Sequence, residues 1–152
     1  MNKTRRLVTQ AVLALGGITA ALRIWRGPRA APASAFAAHD VDGALQDLFG
    51  ATQTDLVASG KIKLSIPDVA ENGAIVPLTV AADLNGVEQI AILAADNPHP
   101  LTSSYAIPAG TLPYVSTRIK MGGSADVLAV VKTSGRLYST RKHVKVSVGG
   151  CS

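Results

Sequence analysis

From Lys61 onward, apolar side chains recur at every second position, in short runs that end at proline, glycine or Asn-Gly. Such alternation builds strands with one face toward a core and the other toward water. "KIKLSIP" places Ile62, Leu64 and Ile66 on one face, and Pro67 stops it. Asn72-Gly73 marks a turn. "AIVPLTVAADL" then aligns Val76, Leu78 and Val80, while Pro77 inside it points to an edge position or a bulge. Asn85-Gly86 joins this run to "VEQIAILAA" and predicts a hairpin, because the favoured two-residue turn needs positive φ at both positions. The stretch "DNPHPLTSSYAIPAGTLP" reads as a loop with a short strand around residues 104–107. "YVSTRIKM" sets Val115, Thr117, Ile119 and Met121 opposite Ser116, Arg118 and Lys120. Gly122-Gly123-Ser124 turns the chain into "DVLAVVKT", apolar enough for a central strand. Thr133-Ser134-Gly135 leads to a strand "RLYST". A last strand, "HVKVSV", aims Val144, Val146 and Val148 inward and His143, Lys145 and Ser147 outward.

About seven short strands at this turn spacing predict an all-β fold, an immunoglobulin-like antiparallel β-sandwich over residues 61–148. The disulfide and buried tryptophan of antibody domains are absent, since the chain has one cysteine and its one tryptophan is Trp25. Residues 38–60 hold a short helix and a linker: Val41, Leu45, Leu48 and Phe49 in "VDGALQDLFGA" have near-helical spacing. Asp40 or Asp42 caps that helix, and it ends near Gly50.

Residues 1–37 have the layout of an export signal. A basic start precedes an apolar run over residues 7–22, and small residues follow with two A-x-A sites, Ala33-Ser34-Ala35 and Ala35-Phe36-Ala37. Arg5-Arg6 directly before the run reads as a twin-arginine signal, and Arg23, Arg26 and Arg29 after it suit that route. An uncleaved membrane anchor is the alternative, but the run is short for a span and interrupted by polar residues. Export by this route implies the periplasm, with no membrane attachment after cleavage. Charge follows the same division. The net charge is +5, yet six of the fifteen basic residues and no acid lie in residues 1–35. The remaining nine basic residues face ten acidic ones, so the body carries no nucleic-acid footprint.

The oxidising periplasm makes the lone cysteine conspicuous. Cys151 follows Gly149 and Gly150 and precedes Ser152, beyond the last strand. Glycines there give a thin tether, and from Val148 the thiol sweeps roughly 10 to 12 Å at ~3.5 Å per residue. That is the logic of a group carrier whose handle visits active sites elsewhere. Enzyme chemistry of its own finds no support. His39, His99 and His143 lack metal-ligand spacing, one cysteine makes no zinc site, and no phosphate or dinucleotide loop occurs. A Cys–His pair needs a pocket around the nucleophile. His143 lies roughly 26 Å from Cys151 along an extended chain at ~3.3 Å per residue, and reads as a surface residue.

The segments "IPDVAENGAIVPLTV", "DNPHP", "STRIKM" and the terminal "VKVSVGGC" resemble the SoxY family, the sulfur-carrier subunits of the periplasmic thiosulfate-oxidising Sox system. The resemblance runs from about Lys61 to the C-terminus, and the Gly-Gly-Cys ending is its most specific element. It implies a carrier, not an enzyme, that holds no cofactor beyond sulfur bound covalently to Cys151. It implies a heterodimer with a second small β-sandwich, a SoxZ-like subunit. It further implies that a c-type cytochrome complex loads thiosulfate, a di-manganese hydrolase releases sulfate, and a molybdenum–haem dehydrogenase oxidises the remaining sulfane sulfur. One departure stands out. Ser152 occupies the place of a trailing glycine, adding a side chain and a nearby carboxylate that would raise the thiol pKa and disfavour an anionic substrate. The competing reading is a periplasmic β-sandwich binding module whose tail cysteine only forms an intermolecular disulfide. A thiol enzyme acting alone is a third.

Overall fold

The computed structural model describes residues 30–147. Its elements run α1 (Ala33–Ala37), α2 (Val41–Phe49), a 3₁₀ turn (Gln53–Asp55), β1 (Val57–Ala58), β2 (Ile62–Ser65) and β3 (Val69–Ala70). There follow β4 (Val76–Ala82), β5 (Val87–Ala94), β6 (Leu101–Ala106), β7 (Tyr114–Ile119), β8 (Ala125–Thr133) and β9 (Leu137–Val146). The strands form two sheets, as the alternation requires. The larger has the order β1-β9-β8-β5-β6, with β3 also on β9, and the smaller has β2-β4-β7. This is the expected β-sandwich.

Alternation decides what lies between the sheets. Val76, Leu78 and Val80 from β4, Val115 and Ile119 from β7, and Ile62 and Ile66 meet Ile90, Ile92, Val127, Ala129, Val131 and Val144 of the larger sheet. The intervening residues of β5 and β8 are apolar too, and they need a second cover. α1 and α2 supply it: Ala35, Val41, Ala44 and Leu45 pack on Ala91, Leu93, Leu101, Leu128 and Val130. A central strand buried on both faces must read as a continuous apolar run, which is why "VLAVV" does. Burying a leucine side chain contributes about 1.5–3 kcal/mol, so the helical layer is a substantial part of the fold. α2 forms where its ends are closed. The Asp40 carboxylate accepts from the Gly43 N–H at 2.6 Å, and Gly50, at φ 69°, donates its N–H to the Gln46 carbonyl at 2.8 Å.

Three local expectations are corrected. Asn85-Gly86 does turn the chain, and Gly86 has φ 66°, but β4 and β5 do not pair. The turn carries the chain from one sheet to the other. β4 already has β2 and β7 on its edges, and β5 has β6 and β8, so no edge is left for a hairpin. Pro77 is likewise not on an edge strand or a bulge, because β4 is the central strand of its sheet. It is tolerated because β2 pairs only from Ser65 opposite Thr79. Continuing that register would set Pro67 against Pro77, two residues that cannot donate, and the ladder stops there. Finally, "RLYST" and "HVKVSV" are one ten-residue strand, β9. Arg141 and Lys142 lie in its middle, paired without a break to Leu128 and Val127. Lys142 reaches the rim of the sandwich, donating to the Ile66 carbonyl at 2.7 Å and pairing with Asp68 at 2.9 Å.

Candidate site at the root of the cysteine-bearing tail

Cys151, Gly149, Gly150 and Ser152 lie outside the described residues, as do Arg5 and Arg6 of the expected export signal. The structure places what precedes the cysteine. β9 delivers Val146 and Ser147 to one end of the sandwich, and the backbone there is held from both sides. β3 runs parallel to the end of β9, with Val69 opposite Lys145 and Ala70 opposite Val146. Lys145 N–H donates to the Asp68 carbonyl at 2.9 Å, and Ser147 N–H to the Ala70 carbonyl at 3.0 Å. On the other edge β8 starts at Ala125, opposite Val144, and offers no backbone partner further on. There Val146 N–H donates to Ser124 Oγ at 2.9 Å. The hold thus extends to Ser147, with every N–H from 145 to 147 used.

The chain packs closely around this point. Met121 N–H donates to the Gly73 carbonyl at 2.7 Å. A Cβ on Gly73 would lie 2.5 Å from the Met121 carbonyl oxygen and 3.0 Å from Val146 Cγ1, so only glycine fits without displacement. Asn72 braces the same turn by accepting from the Ala74 N–H at 2.9 Å. Asn97, from the β5–β6 loop, donates Nδ2–H to the Lys120 carbonyl at 2.8 Å and accepts from the Gly122 N–H at 2.8 Å. These contacts shape a groove of about 440 Å³ beside the strand end, lined by residues 72–74, 120–124, Val146 and Ser147. In the sequence, Gly122-Gly123-Ser124 reads as a turn, and Asn72-Gly73 and Asn97 read as turn and loop within segments that carry the resemblance, with no role of their own. Nothing in a turn signature tells that two turns from distant parts of the chain will meet at one strand end.

The histidines divide differently. His143 is on the outward face of β9, exposed as expected, with its Nδ1 2.8 Å from Asp126 Oδ1. His39 and His99 stack with centroids 4.9 Å apart. Each Nδ1 faces a carbonyl beside the other, Pro98 for His39 at 3.3 Å and Ala38 for His99 at 3.2 Å. A carbonyl only accepts, so Nδ1 carries the proton in both rings. The pair straps the α1–α2 junction to the β5–β6 loop, a contact no sequence spacing announced. Among the described residues no three His, Cys, Asp or Glu side chains gather to hold a metal, and no helix is long and apolar enough to cross a membrane.

The family model for sulfur oxidation protein SoxY matches residues 45–151, a span that includes both the strand end and Cys151. The chain belongs to the SoxY family. A solved SoxY structure agrees: the sulfur carrier protein SoxY from Chlorobium limicola f. thiosulfatophilum is 35% identical, with a TM-score of 0.64, over 74% of this chain and 96% of that one. An engineered protein aligns at 12% identity and TM-score 0.39, over 57% of this chain and 20% of that one. The human F-spondin reeler domain aligns at 10% and 0.36, over 59% and 92%. Neither of these two bears on function. A search of curated protein sequences finds no match.

Proposed function

We propose that this protein is a covalent sulfur carrier in thiosulfate oxidation, with Cys151 as the attachment site. The observation that carries the reading is the SoxY family match running through Cys151, preceded by a strand whose end is fixed at Ser147. A fixed root followed by Val148, Gly149 and Gly150 lets the thiol travel up to roughly 14 Å from Ser147, at ~3.5 Å per residue, and enter a narrow partner channel.

In the loading step, the Cys151 thiol and the sulfane sulfur of thiosulfate join in a new S–S bond, releasing one proton and two electrons. A c-type cytochrome partner would take the two electrons one at a time, one per haem iron reduced. Water then attacks the sulfonate sulfur, in a di-manganese hydrolase, to give sulfate, a persulfide anion on Cys151 and two protons. A molybdenum–haem dehydrogenase oxidises the remaining sulfane sulfur. The carrier supplies the thiol and the tether and no catalytic group of its own. It works as a heterodimer with a SoxZ-like β-sandwich in the periplasm, reached by the twin-arginine route through Arg5 and Arg6, and it needs no cofactor.

Intact mass spectrometry of the protein from thiosulfate-grown cells, with and without mild reductant, tests this. A reductant-labile thiosulfonate or persulfide mapped to Cys151 is expected. A disulfide-linked dimer with no sulfur adduct would instead establish the binding-module reading.

A further inference from the structure

We infer that Ser124 is a positioning residue for the carrier chemistry: its hydroxyl closes the β8-side edge of β9 at the root of the cysteine-bearing tail. The inference rests on the proposed carrier function for its consequence, and on the strand-end geometry for its mechanism.

In a strand, successive N–H groups point to opposite edges. At the end of β9, those of Lys145 and Ser147 point to β3 and are bound by the Asp68 and Ala70 carbonyls. That of Val146 points to the β8 side. β8 has no backbone left to offer there, because the chain before Ala125 bends away through Gly122 and Gly123. Asn97 binds that bend through the Lys120 carbonyl and the Gly122 N–H. Ser124 Oγ fills the vacated place, 2.9 Å from the Val146 nitrogen. A side chain thus continues the ladder by one step after the neighbouring strand has left.

Without that hydroxyl, the last hold on the β8 edge falls back to Val144, and the strand end is left to the β3 edge alone, through Lys145 and Ser147. A strand end held on one edge opens more often, and each opening frees the chain back to Val144, three residues or about 10 Å at ~3.4 Å per residue. While the end is open the tether is longer and the thiol is less concentrated at any fixed entrance. Entry into a partner channel would also have to order more chain. The serine therefore acts through the root of the tether and not on the sulfur.

The test compares Ser124→Ala and Ser124→Thr with the wild-type full chain in its heterodimer. Amide hydrogen exchange is read by NMR at Val146, with Val130 in the middle of β8 as reference. In Ser124→Ala, Val146 should exchange roughly three- to tenfold faster, the factor one net hydrogen bond corresponds to. Val130 should be unchanged. kcat/KM for enzyme-dependent loading from thiosulfate should fall by up to about twofold, because effective concentration drops roughly as the −3/2 power of tether length, while alkylation of Cys151 by iodoacetamide, which needs no channel, keeps its rate. The Ser124→Thr variant keeps the hydroxyl and should restore both. Unaltered exchange at Val146, or faster exchange with wild-type loading, overturns the inference. So does a change in alkylation that tracks loading, because the serine would then act on the thiol itself. Failure of the wild-type protein to accept sulfur refutes the carrier reading instead, and the exchange measurement still decides whether Ser124 holds the strand end.

Discussion

Replacing Gly73 by alanine tests how tightly the strand end is packed. The new Cβ would lie 2.5 Å from the Met121 carbonyl oxygen, which is backbone and cannot rotate away, and 3.0 Å from Val146 Cγ1. Forcing a methyl group into a filled site costs about 1–3 kcal/mol. The shift would also weaken the 2.7 Å bond from Met121 N–H to the Gly73 carbonyl, worth about 1 kcal/mol. Alanine restricts the unfolded chain and returns about 0.4–1 kcal/mol. The net loss is therefore about 2 kcal/mol. At a slope of about 2 kcal/mol per molar urea, the unfolding midpoint falls by about 1 M. Gly123→Ala is the matched control, since a Cβ there meets nothing within 4 Å. It should stay within about 0.5 kcal/mol of wild type. Urea denaturation followed by far-UV circular dichroism reads both variants. A Gly73→Ala midpoint equal to that of Gly123→Ala would refute the packing argument.

Three further outcomes are expected. Cys151→Ser should abolish sulfur loading and leave the unfolding free energy within about 0.5 kcal/mol of wild type, so thiosulfate oxidation supported by that variant in cells would defeat the carrier reading. Leu45→Ala empties a fully buried position under the larger sheet and should cost about 2–4 kcal/mol by denaturation; a loss below about 1 kcal/mol would mean that the helices do not cover that face. Gly50→Ala places a side chain at φ 69° in otherwise open space, a purely backbone cost of about 1 kcal/mol. Gly60→Ala, in similarly open space and without the positive φ, should cost less, and equal losses would contradict the left-handed cap.

Much of this architecture is legible in the sequence because the signals are local. Val76, Leu78 and Val80 on one face, Val115 and Ile119 on another, and the Asp40 and Gly50 ends of α2 all follow from spacing and from backbone preferences of single residues. Pairing is less legible. Asn85-Gly86 has the right residues for a hairpin, yet turn geometry only says that the chain reverses. Which strand it then joins depends on which edges are free, and the edges of β4 and β5 are filled by strands from elsewhere in the chain. β9 reads as two strands for a related reason. Arg141 and Lys142 look like loop residues until the rim of the sandwich gives Lys142 the Ile66 carbonyl and Asp68.

The same division holds at the root of the tail. By itself the sequence determined a last valine-rich strand, the Gly-Gly-Cys stretch beyond it and the single thiol, because these depend on residue type and order alone. Only the tertiary structure decided what holds the strand's end. Gly73, Asn97, Ser124 and Val146 are far apart in the chain and meet because two sheets and their loops close over one core. A hydrogen bond or a steric contact needs atoms within a few ångströms, and no one-dimensional pattern records that proximity.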